Sequence, residues 1–305
     1  MKVDQQWLTN FLGVIRAPFL SLSLTCAFLI WSLAFFQSGL PSLFDSLLIL
    51  VALVSAHMGV NALNEYQDFI SGLDTSTQKT MFSGGSGTLV EYPDYLETTR
   101  RIAKTCITVS SIIGVWFVLS VGIELLPAGV LGLWLVVNYS DKVNQHPWLC
   151  VVAPGLGIGG LALLGGVYIL SGGISVQALL VSLMFGVLIN NVLLLNQYPD
   201  VEADRTVNRN HLWIAYGYDF SLAVFRVQLL GVFALLAIAV MTGWLPSLSA
   251  VTFAVLFFVF PLFYDTFSLA RLKQNELAAL GKNVMLCHFF PLSLAISLIF
   301  SRIFA

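Results

Sequence analysis

The sequence predicts an all-α protein that crosses a membrane many times, and three observations carry this prediction. Of its 305 residues, 58% are hydrophobic and only 10% are charged, whereas soluble domains carry roughly a quarter charged residues. The apolar residues form long continuous runs, not the alternating pattern of a barrel strand. The longer polar loops between these runs carry basic residues, and the short turns carry none. A water-exposed globular domain is therefore excluded.

Nine apolar runs have the length of a membrane span, since about 20 apolar residues cross roughly 30 Å of hydrocarbon. Four form a first half, over about 12–140, and four a second half, over about 149–270. We predict two four-helix parallel repeats plus a final helix, all within one domain of 1–305. The predicted spans are 17–37, 43–63, 102–122, 124–140, 149–170, 174–195, 221–243, 247–268 and 284–302.

The basic residues predict the orientation of these spans. Of 14 basic residues, only Arg302 lies away from the N-terminus and from the loops 64–100, 141–148, 196–220 and 269–283 or the helix ends beside them. By the positive-inside rule, the N-terminus and these loops face the cytoplasm, and the C-terminus lies outside an inner (cytoplasmic) membrane. No small-residue cleavage site follows a short apolar core, so we expect the first span to be retained.

The histidines, cysteines and net charge exclude two other kinds of site. The four cysteines and four histidines form neither a C-x-x-C nor an H-E-x-x-H spacing, so no zinc site is expected. A net charge of −2 gives no support for nucleic-acid binding, which requires a basic face. The lipid bilayer is the expected environment, and nothing in the sequence indicates an obligate protein partner.

One five-residue motif occurs twice. The segments 64–68 (NEYQD) and 196–200 (NQYPD) both read N-[E/Q]-Y-x-D, and they end the second and the sixth predicted span. Each motif therefore has the same place in its own half. Parallel repeats of this kind place a binding site at the interface between the halves. We predict that both motifs contribute to one shared site.

The spacing within each motif predicts how its oxygens are arranged. Asn64 and Asp68 are four residues apart and therefore lie on one helix face. Asn196, Asp200 and Asp204 continue the same interval, which predicts a stripe of three oxygen-bearing side chains.

A further carboxylate, Asp74, lies outside this register. It follows Ser71 and Gly72, where the chain is expected to leave the helix. Carboxylate and amide oxygens suit Mg²⁺, which takes one or two carboxylates together with substrate phosphates. A pair of Mg²⁺ ions between the halves would make a diphosphate a competent leaving group.

Basic and glycine-rich segments accompany these acids. Lys79, Lys142, Arg205 and Arg209 lie on loops that would cover the metal site, where they can bind phosphate or only set the orientation. The stretch 83–87 fits either a lid over the substrate or a linker. A second glycine-rich stretch, 155–160, formally matches G-x-G-x-x-G. Because no strand precedes it, we interpret it as a site of close helix packing.

These motifs identify a resemblance to the UbiA superfamily of intramembrane aromatic prenyltransferases over nearly the whole chain. Its two aspartate-rich motifs are matched at 64–74 (N-x₃-D-x₅-D) and 196–204 (N-x₃-D-x₃-D). The first is most similar to the menaquinone branch, the dihydroxynaphthoate prenyltransferases. The segment 16–18 resembles the Arg-Pro element of the family's first helix, and 204–212 the tail after its second motif.

The resemblance implies nine helices and Mg²⁺-dependent transfer of a prenyl group from a polyprenyl diphosphate to an aromatic acceptor. The implied acceptor is similar to 1,4-dihydroxy-2-naphthoate in quinone biosynthesis, with Arg16 binding its carboxylate. Tyrosine rings near the site would stabilise an allylic cation or only pack in the core. The implied catalytic residues are Asp68, Asp200 and Asp204. The implied metal ligands are Asn64, Asp68, Asp74, Asn196, Asp200 and Asp204. The implied substrate-binding residues are Arg16, Lys79, Lys142, Arg205, Arg209, Tyr66, Tyr139 and Tyr198.

Three departures from the family pattern leave alternatives open. Glu65 replaces a usual Asp, Ile158 stands where many members have a Glu, and Asn208 replaces a common Gly. One alternative is a divergent enzyme with another phenolic acceptor, and another is a terpene cyclase without an acceptor. A membrane transporter would also use repeats, but it should place ionisable groups near the membrane midplane.

Overall fold

The computed structural model describes residues 2–75, 77, 80 and 82–304, and every regular element in this part of the chain is helical. After an N-terminal helix come nine apolar helices, as predicted. Eight are long enough to cross a membrane, and one, Ile123–Asn138, is shorter. The helices are α1 (Lys2–Val14), α2 (Ser21–Ser38), α3 (Leu43–Ile70), α4 (Leu96–Ser120), α5 (Leu126–Asn138), α6 (Pro147–Ser171), α7 (Val176–Asn196), α8 (Tyr218–Met241), α9 (Ser247–Asp265) and α10 (Leu269–Ile303).

The core and the outer surface of this helix assembly are both apolar. Inside, α7 is the most enclosed of the long helices, and its Phe185 and Leu188 are buried. Outside, large side chains such as Leu119 and Phe257 remain exposed. Contiguous exposed apolar surface marks contact with a lipid or a partner, and it fits a multi-pass membrane protein.

Close packing of α6 on α7 explains the glycines of 155–160. A Cβ atom on Gly159 would lie 2.3 Å from the Cα of Gly186, and one on Gly155 would lie 2.2 Å from the Gly186 carbonyl oxygen. Both distances are below van der Waals contact, so only glycine allows this approach. The interpretation as a packing site is confirmed. The chain here, Gly155–Ala162, forms a π-helix within α6.

Helix α3 is longer than its predicted span and carries the first motif. It continues to Ile70, so Asn64 and Asp68 do lie one turn apart on one helix. It ends at Ser71, and Gly72 adopts a φ of +79°. The prediction that the chain leaves the helix before Asp74 is confirmed, because this φ is readily available only to glycine.

The second motif does not form the predicted stripe. Helix α7 ends at Asn196, and a new short helix starts only at Val201. The expectation that Asn196, Asp200 and Asp204 share one helix face is therefore wrong. Pro199 is the physical reason, since a proline removes a backbone donor and its ring clashes with the carbonyl four residues earlier.

The predicted loop at 269–283 is also wrong, because these residues form the first part of α10. Leu and Ala, which favour a helix, make up seven of its 15 residues. Its charged and amide side chains make it too polar for a membrane span. Asn275 interrupts the helical geometry with a φ of −122° and a ψ of 23°. Lys282 then binds Asp265 at 2.5 Å and ties α10 to the end of α9.

Candidate active site

A cavity of about 590 Å³ opens among α3, α4, α5 and α6. Both motifs lie at one end of it, near the loops that follow α3 and α7; we call this end the rim. The remaining wall is mostly apolar, with Leu53, Phe117 and Ile158 among its side chains. The cavity therefore offers a polar end and a long apolar interior within one continuous space.

The first motif is held by neighbouring segments. Asn64 and Asp68 line the cavity. The side-chain oxygen of Asn64 accepts a hydrogen bond from Ser140 Oγ at 2.5 Å. Asp68 is buried and binds Arg209, which comes from the loop after the second motif. An ion pair at the rim thus joins one charged side chain of the first half to one of the second half.

Glu65 lies behind the cavity wall and joins three segments. It is fully buried, and its Oε1 accepts from Arg16 Nε at 2.7 Å and from the Ser86 backbone N at 2.8 Å. Its Oε2 accepts from Ser86 Oγ at 2.6 Å. This carboxylate fixes the turn after α1 and the glycine-rich loop against α3. Its position inside the first motif was the only sequence signal of this role.

Arg16 reaches the site from a strained turn. It has a φ of +48°, which is uncommon for a residue other than glycine. The side-chain amide of Asn61 donates to the carbonyl of Ile15 at 2.9 Å and holds this turn on α3. Strained residues of this kind cluster at functional sites. Among the described residues, neither terminal nitrogen of Arg16 has a hydrogen-bond partner, so both remain available to a ligand.

The second motif contacts the glycine-rich loop and a histidine. Asp200 Oδ2 accepts from the Gly84 backbone N at 3.1 Å. Asp204 is buried, and it binds Arg209 at 3.0 Å and His211 at 3.0 Å. Sequence reasoning missed His211, for which only its distance of seven residues from Asp204 gave a hint.

Four buried carboxylate or amide oxygens of residues that line the cavity have no hydrogen-bond partner in the described structure: Asp74 Oδ2, Asp200 Oδ1, Asn196 Oδ1 and Gln197 Oε1. Burial raises the pKa of Asp74 to about 7 and that of Asp200 to about 7, because a charged carboxylate is poorly solvated there. A nearby cation would stabilise the charged form of both carboxylates.

These oxygens fit Mg²⁺ in their chemistry. Within the described ranges, no group of three His, Cys, Asp or Glu side chains is close enough to hold a metal ion alone. Mg²⁺ does not require such a cage, since it commonly uses one or two carboxylates with phosphate oxygens and water. Asp74, Asn196 and Asp200 supply hard oxygen ligands of that kind at the rim.

The predicted basic residues separate into two groups. Arg16 and Arg209 line the cavity. Lys142 and Arg205 are exposed and are not among the described residues of the cavity wall, so their substrate contacts stay a prediction. Lys79 lies outside the described residues.

The predicted tyrosines separate in the same way. Tyr139 lines the cavity, and burial raises its pKa well above the usual value. Tyr66 is two residues from Asn64 and thus points to another face of α3, where it lies 5.8 Å from the Arg100 guanidinium. Tyr198 packs against Trp213 in the core. Neither Tyr66 nor Tyr198 is among the described residues of the cavity wall, so a contact of either ring with the reacting cation stays a prediction.

The chain is similar in sequence to known proteins. The profile of the UbiA prenyltransferase family matches residues 25–281. A 1,4-dihydroxy-2-naphthoate octaprenyltransferase from Bacillus subtilis (strain 168) is 26% identical over 211 residues. That match covers 66% of this chain and 66% of the relative, so the chain spans about two thirds of its length.

Solved structures share the fold. An apo UbiA homolog from Aeropyrum pernix K1 has a TM-score of 0.68 at 16% identity, covering 90% of this chain and 97% of the other. A UbiA homolog from Archaeoglobus fulgidus bound to GPP and Mg²⁺ has a TM-score of 0.67 at 13% identity, covering 95% and 99%. The family match, which spans most of the chain, confirms the predicted prenyltransferase class: the protein belongs to the UbiA prenyltransferase family.

Proposed function

We propose that this protein transfers a prenyl group from a polyprenyl diphosphate to an aromatic acceptor in a Mg²⁺-dependent reaction. One observation carries the proposal. The oxygens of both motifs and the guanidinium groups of Arg16 and Arg209 meet at the polar rim of a cavity whose interior is apolar. A prenyl diphosphate has the same two parts, a charged head and an apolar tail. The relative from Bacillus subtilis and the GPP-bound homolog support this substrate class.

The head of the substrate belongs at the rim. Asn64, Asp68, Asp74, Asn196, Asp200 and Asp204 would hold Mg²⁺, which neutralises diphosphate charge. Arg16 keeps its terminal nitrogens free for an oxyanion, and Arg209 lies between the two motifs. Guanidinium groups bind phosphate oxygens in a planar, bidentate manner.

The tail belongs in the apolar interior. From Asn64 at the rim, the lining residues of α3 continue to Ile49, which at the helical rise is about 22 Å of depth. Departure of diphosphate with the C1–O electron pair leaves an allylic cation. The ring of Tyr139, which lines the cavity beside the rim, can face this cation through its negative π-surface. A nucleophilic ring carbon of the acceptor then bonds to C1, and the ring loses a proton as it becomes aromatic again.

For the acceptor, we propose a 1,4-dihydroxy-2-naphthoate-like compound, used in menaquinone biosynthesis. The Bacillus subtilis relative and the spacing of the first motif support this choice. One observation favours another phenolic acceptor instead. Ile158 lines the cavity as an apolar side chain at a position where many relatives carry a carboxylate. A terpene cyclase without an acceptor would share the same rim.

An acceptor assay tests these proposals together. Membranes containing the protein receive geranylgeranyl diphosphate and Mg²⁺ with dihydroxynaphthoate, with 4-hydroxybenzoate, or with no acceptor. We expect prenylated dihydroxynaphthoate, loss of the product with EDTA, and recovery when Mg²⁺ is added back. Prenylation of 4-hydroxybenzoate alone would favour the other phenolic acceptor. Cyclised product without an acceptor would favour the cyclase, and EDTA-resistant activity would contradict the metal proposal.

We also propose the orientation and the repeat arrangement given by the sequence. The positive-inside rule supports a cytoplasmic rim and an external C-terminus, and residues of both motifs meet at this rim, as parallel repeats require. Reporter fusions after Gln37, Gly122, Gly172 and Gly243 should report the outside, and fusions within 205–215 the cytoplasm. A cytoplasmic signal at Gly172 would contradict the parallel repeats.

A further inference from the structure

A second polar site lies deeper in the cavity than the rim. His57 of α3 and Ser23 of α2 both line it, and His57 Nδ1 lies 2.9 Å from Ser23 Oγ. His57 is seven residues before Asn64, which places it about 10 Å further from the rim along α3. None of the steps proposed above uses this pair.

The surroundings of the pair are mostly apolar. Ala56, Leu53 and Ile158 line the same cavity, and α4 brings the hydroxyl groups of Ser110 and Ser111 near this depth. A Cβ on Gly59 would lie 3.3 Å from the backbone N of Ile107, so Gly59 of α3 and Ile107 of α4 lie at the same height along the two packed helices. Since the two helices run in opposite directions, Ser110 of α4, which lines the cavity, is close to the level of His57.

Placing a polar pair inside an apolar wall costs free energy unless its groups find partners. Ser23 occupies one ring nitrogen of His57, and the described part of the chain offers Nε2 no hydrogen-bond partner. If Nδ1 carries the proton, Nε2 accepts a hydrogen bond; if Ser23 donates to Nδ1, Nε2 donates one. A hydroxyl group satisfies either state, because it both donates and accepts. An isoprenoid tail satisfies neither.

We propose that His57, held by Ser23, binds a ring hydroxyl of the aromatic acceptor and thereby selects hydroxylated rings. The inference rests on the proposed function. It adds that the protein recognises the acceptor by a ring hydroxyl. A carboxylate is a poorer match for this neutral pair than for Arg16, a charged residue that lines the cavity at the rim. The hydrogen bond orients the ring so that its nucleophilic carbon faces C1 of the prenyl group. Ser23 acts as a positioning residue, because it fixes the imidazole.

The test compares His57→Phe with a matched variant, His288→Phe. His288 also pairs with a serine of α2, since its Nε2 lies 2.9 Å from Ser21 Oγ, but it is not among the described residues of the cavity wall. Each protein is assayed with dihydroxynaphthoate and with 1-hydroxy-2-naphthoate, which lacks one ring hydroxyl. The KM for geranylgeranyl diphosphate is measured in parallel.

We expect the parent to prefer the dihydroxy acceptor strongly, because a buried group left unpaired penalises the analogue. His57→Phe should raise the KM for the dihydroxy acceptor about tenfold, as expected for one lost hydrogen bond, and should reduce this preference. The KM for the diphosphate should stay unchanged, and His288→Phe should retain the parent's preference. Ser23→Ala should shift the acceptor KM in the same direction by about threefold, and it carries the test if His57→Phe does not fold.

Two results would overturn the inference. One is that folded His57→Phe prefers the dihydroxy acceptor as strongly as the parent does. If His57→Phe does not fold, the same result in Ser23→Ala counts instead. The other is a raised KM for the diphosphate alone, which would assign His57 to the tail. If the parent prenylates neither acceptor, the proposed dihydroxynaphthoate-like acceptor is wrong, which is a separate outcome.

Discussion

The two copies of the N-[E/Q]-Y-x-D motif have the same residue pattern but different roles. In the first copy, Asn64 accepts from Ser140, and Asp68 binds Arg209. In the second copy, Asn196 Oδ1 and one oxygen of Asp200 are buried without a partner in the described structure. Asn64 and Asp68 therefore join segments together, whereas Asn196 and Asp200 each keep one buried oxygen available for a ligand.

The second position of each motif shows the same contrast. Glu65 is buried and accepts hydrogen bonds from Arg16 and Ser86. Gln197 donates only to the Cys150 thiol at 3.0 Å, and its Oε1 has no partner among the described residues. Repeated sequence therefore does not mean repeated interactions, because the neighbours that surround each copy differ.

The largest expected effects separate Asp68 from Asp200. Asp68→Asn and Asp200→Asn should each lower kcat by at least about 10²-fold, the loss typical when a group that stabilises transition-state charge is removed. Only Asp68→Asn should also lower the free energy of unfolding, by about 1–3 kcal/mol, because it weakens a buried ion pair with Arg209. Kinetics and thermal unfolding in detergent measure both quantities.

Glu202→Gln is the matched control for this pair, because Glu202 is an exposed carboxylate two residues from Asp200. It should leave kcat and thermal stability near the parent's values. If Asp200→Asn destabilised the protein as much as Asp68→Asn, the distinction between a joining motif and a ligand-binding motif would fail.

An intermediate effect is expected at Glu65. Glu65→Gln keeps the shape but removes the charge that holds Arg16 and Ser86, so the free energy of unfolding should fall by about 1–3 kcal/mol. kcat/KM should fall about tenfold, because the terminal nitrogens of Arg16 are less well oriented. Gln197→Ala, at the equivalent position, should cost about 1 kcal/mol or less. If chemical denaturation gave both variants the same loss of free energy of unfolding, the contrast between Glu65 and Gln197 would be contradicted.

The smallest effect is expected at Pro199, which breaks the second motif. Pro199→Ala allows the helix to continue past Asn196, but Asp200 still accepts from Gly84, and its carbonyl still accepts from Asp204 N at 2.8 Å. kcat/KM should therefore fall by less than about tenfold, below the roughly 10² that a 1 Å displacement can cost. A larger fall in steady-state assays would show that the break itself positions Asp200.

Local patterns in the sequence determined much of this protein. Apolar runs predicted nine membrane helices, and the interval of four residues predicted the face shared by Asn64 and Asp68. The chain leaves the helix before Asp74, as Gly72 indicated. These features depend on residues close in sequence, whose periodicity and conformational preferences act within a few turns of chain. The two local errors, at Pro199 and at 269–283, came from reading periodicity and polarity while underweighting proline and helix propensity.

Only the tertiary structure decided which of these residues meet. Arg209 binds Asp68 across 141 residues of sequence, and Ser86 reaches Glu65 across 21. Ser23 meets His57 only because α2 packs beside α3. The sequence offered eight candidates for substrate contact, and the described cavity wall includes Arg16, Arg209 and Tyr139. Such pairings depend on how all the helices pack at once, and no spacing along the chain encodes the position of a partner on another helix.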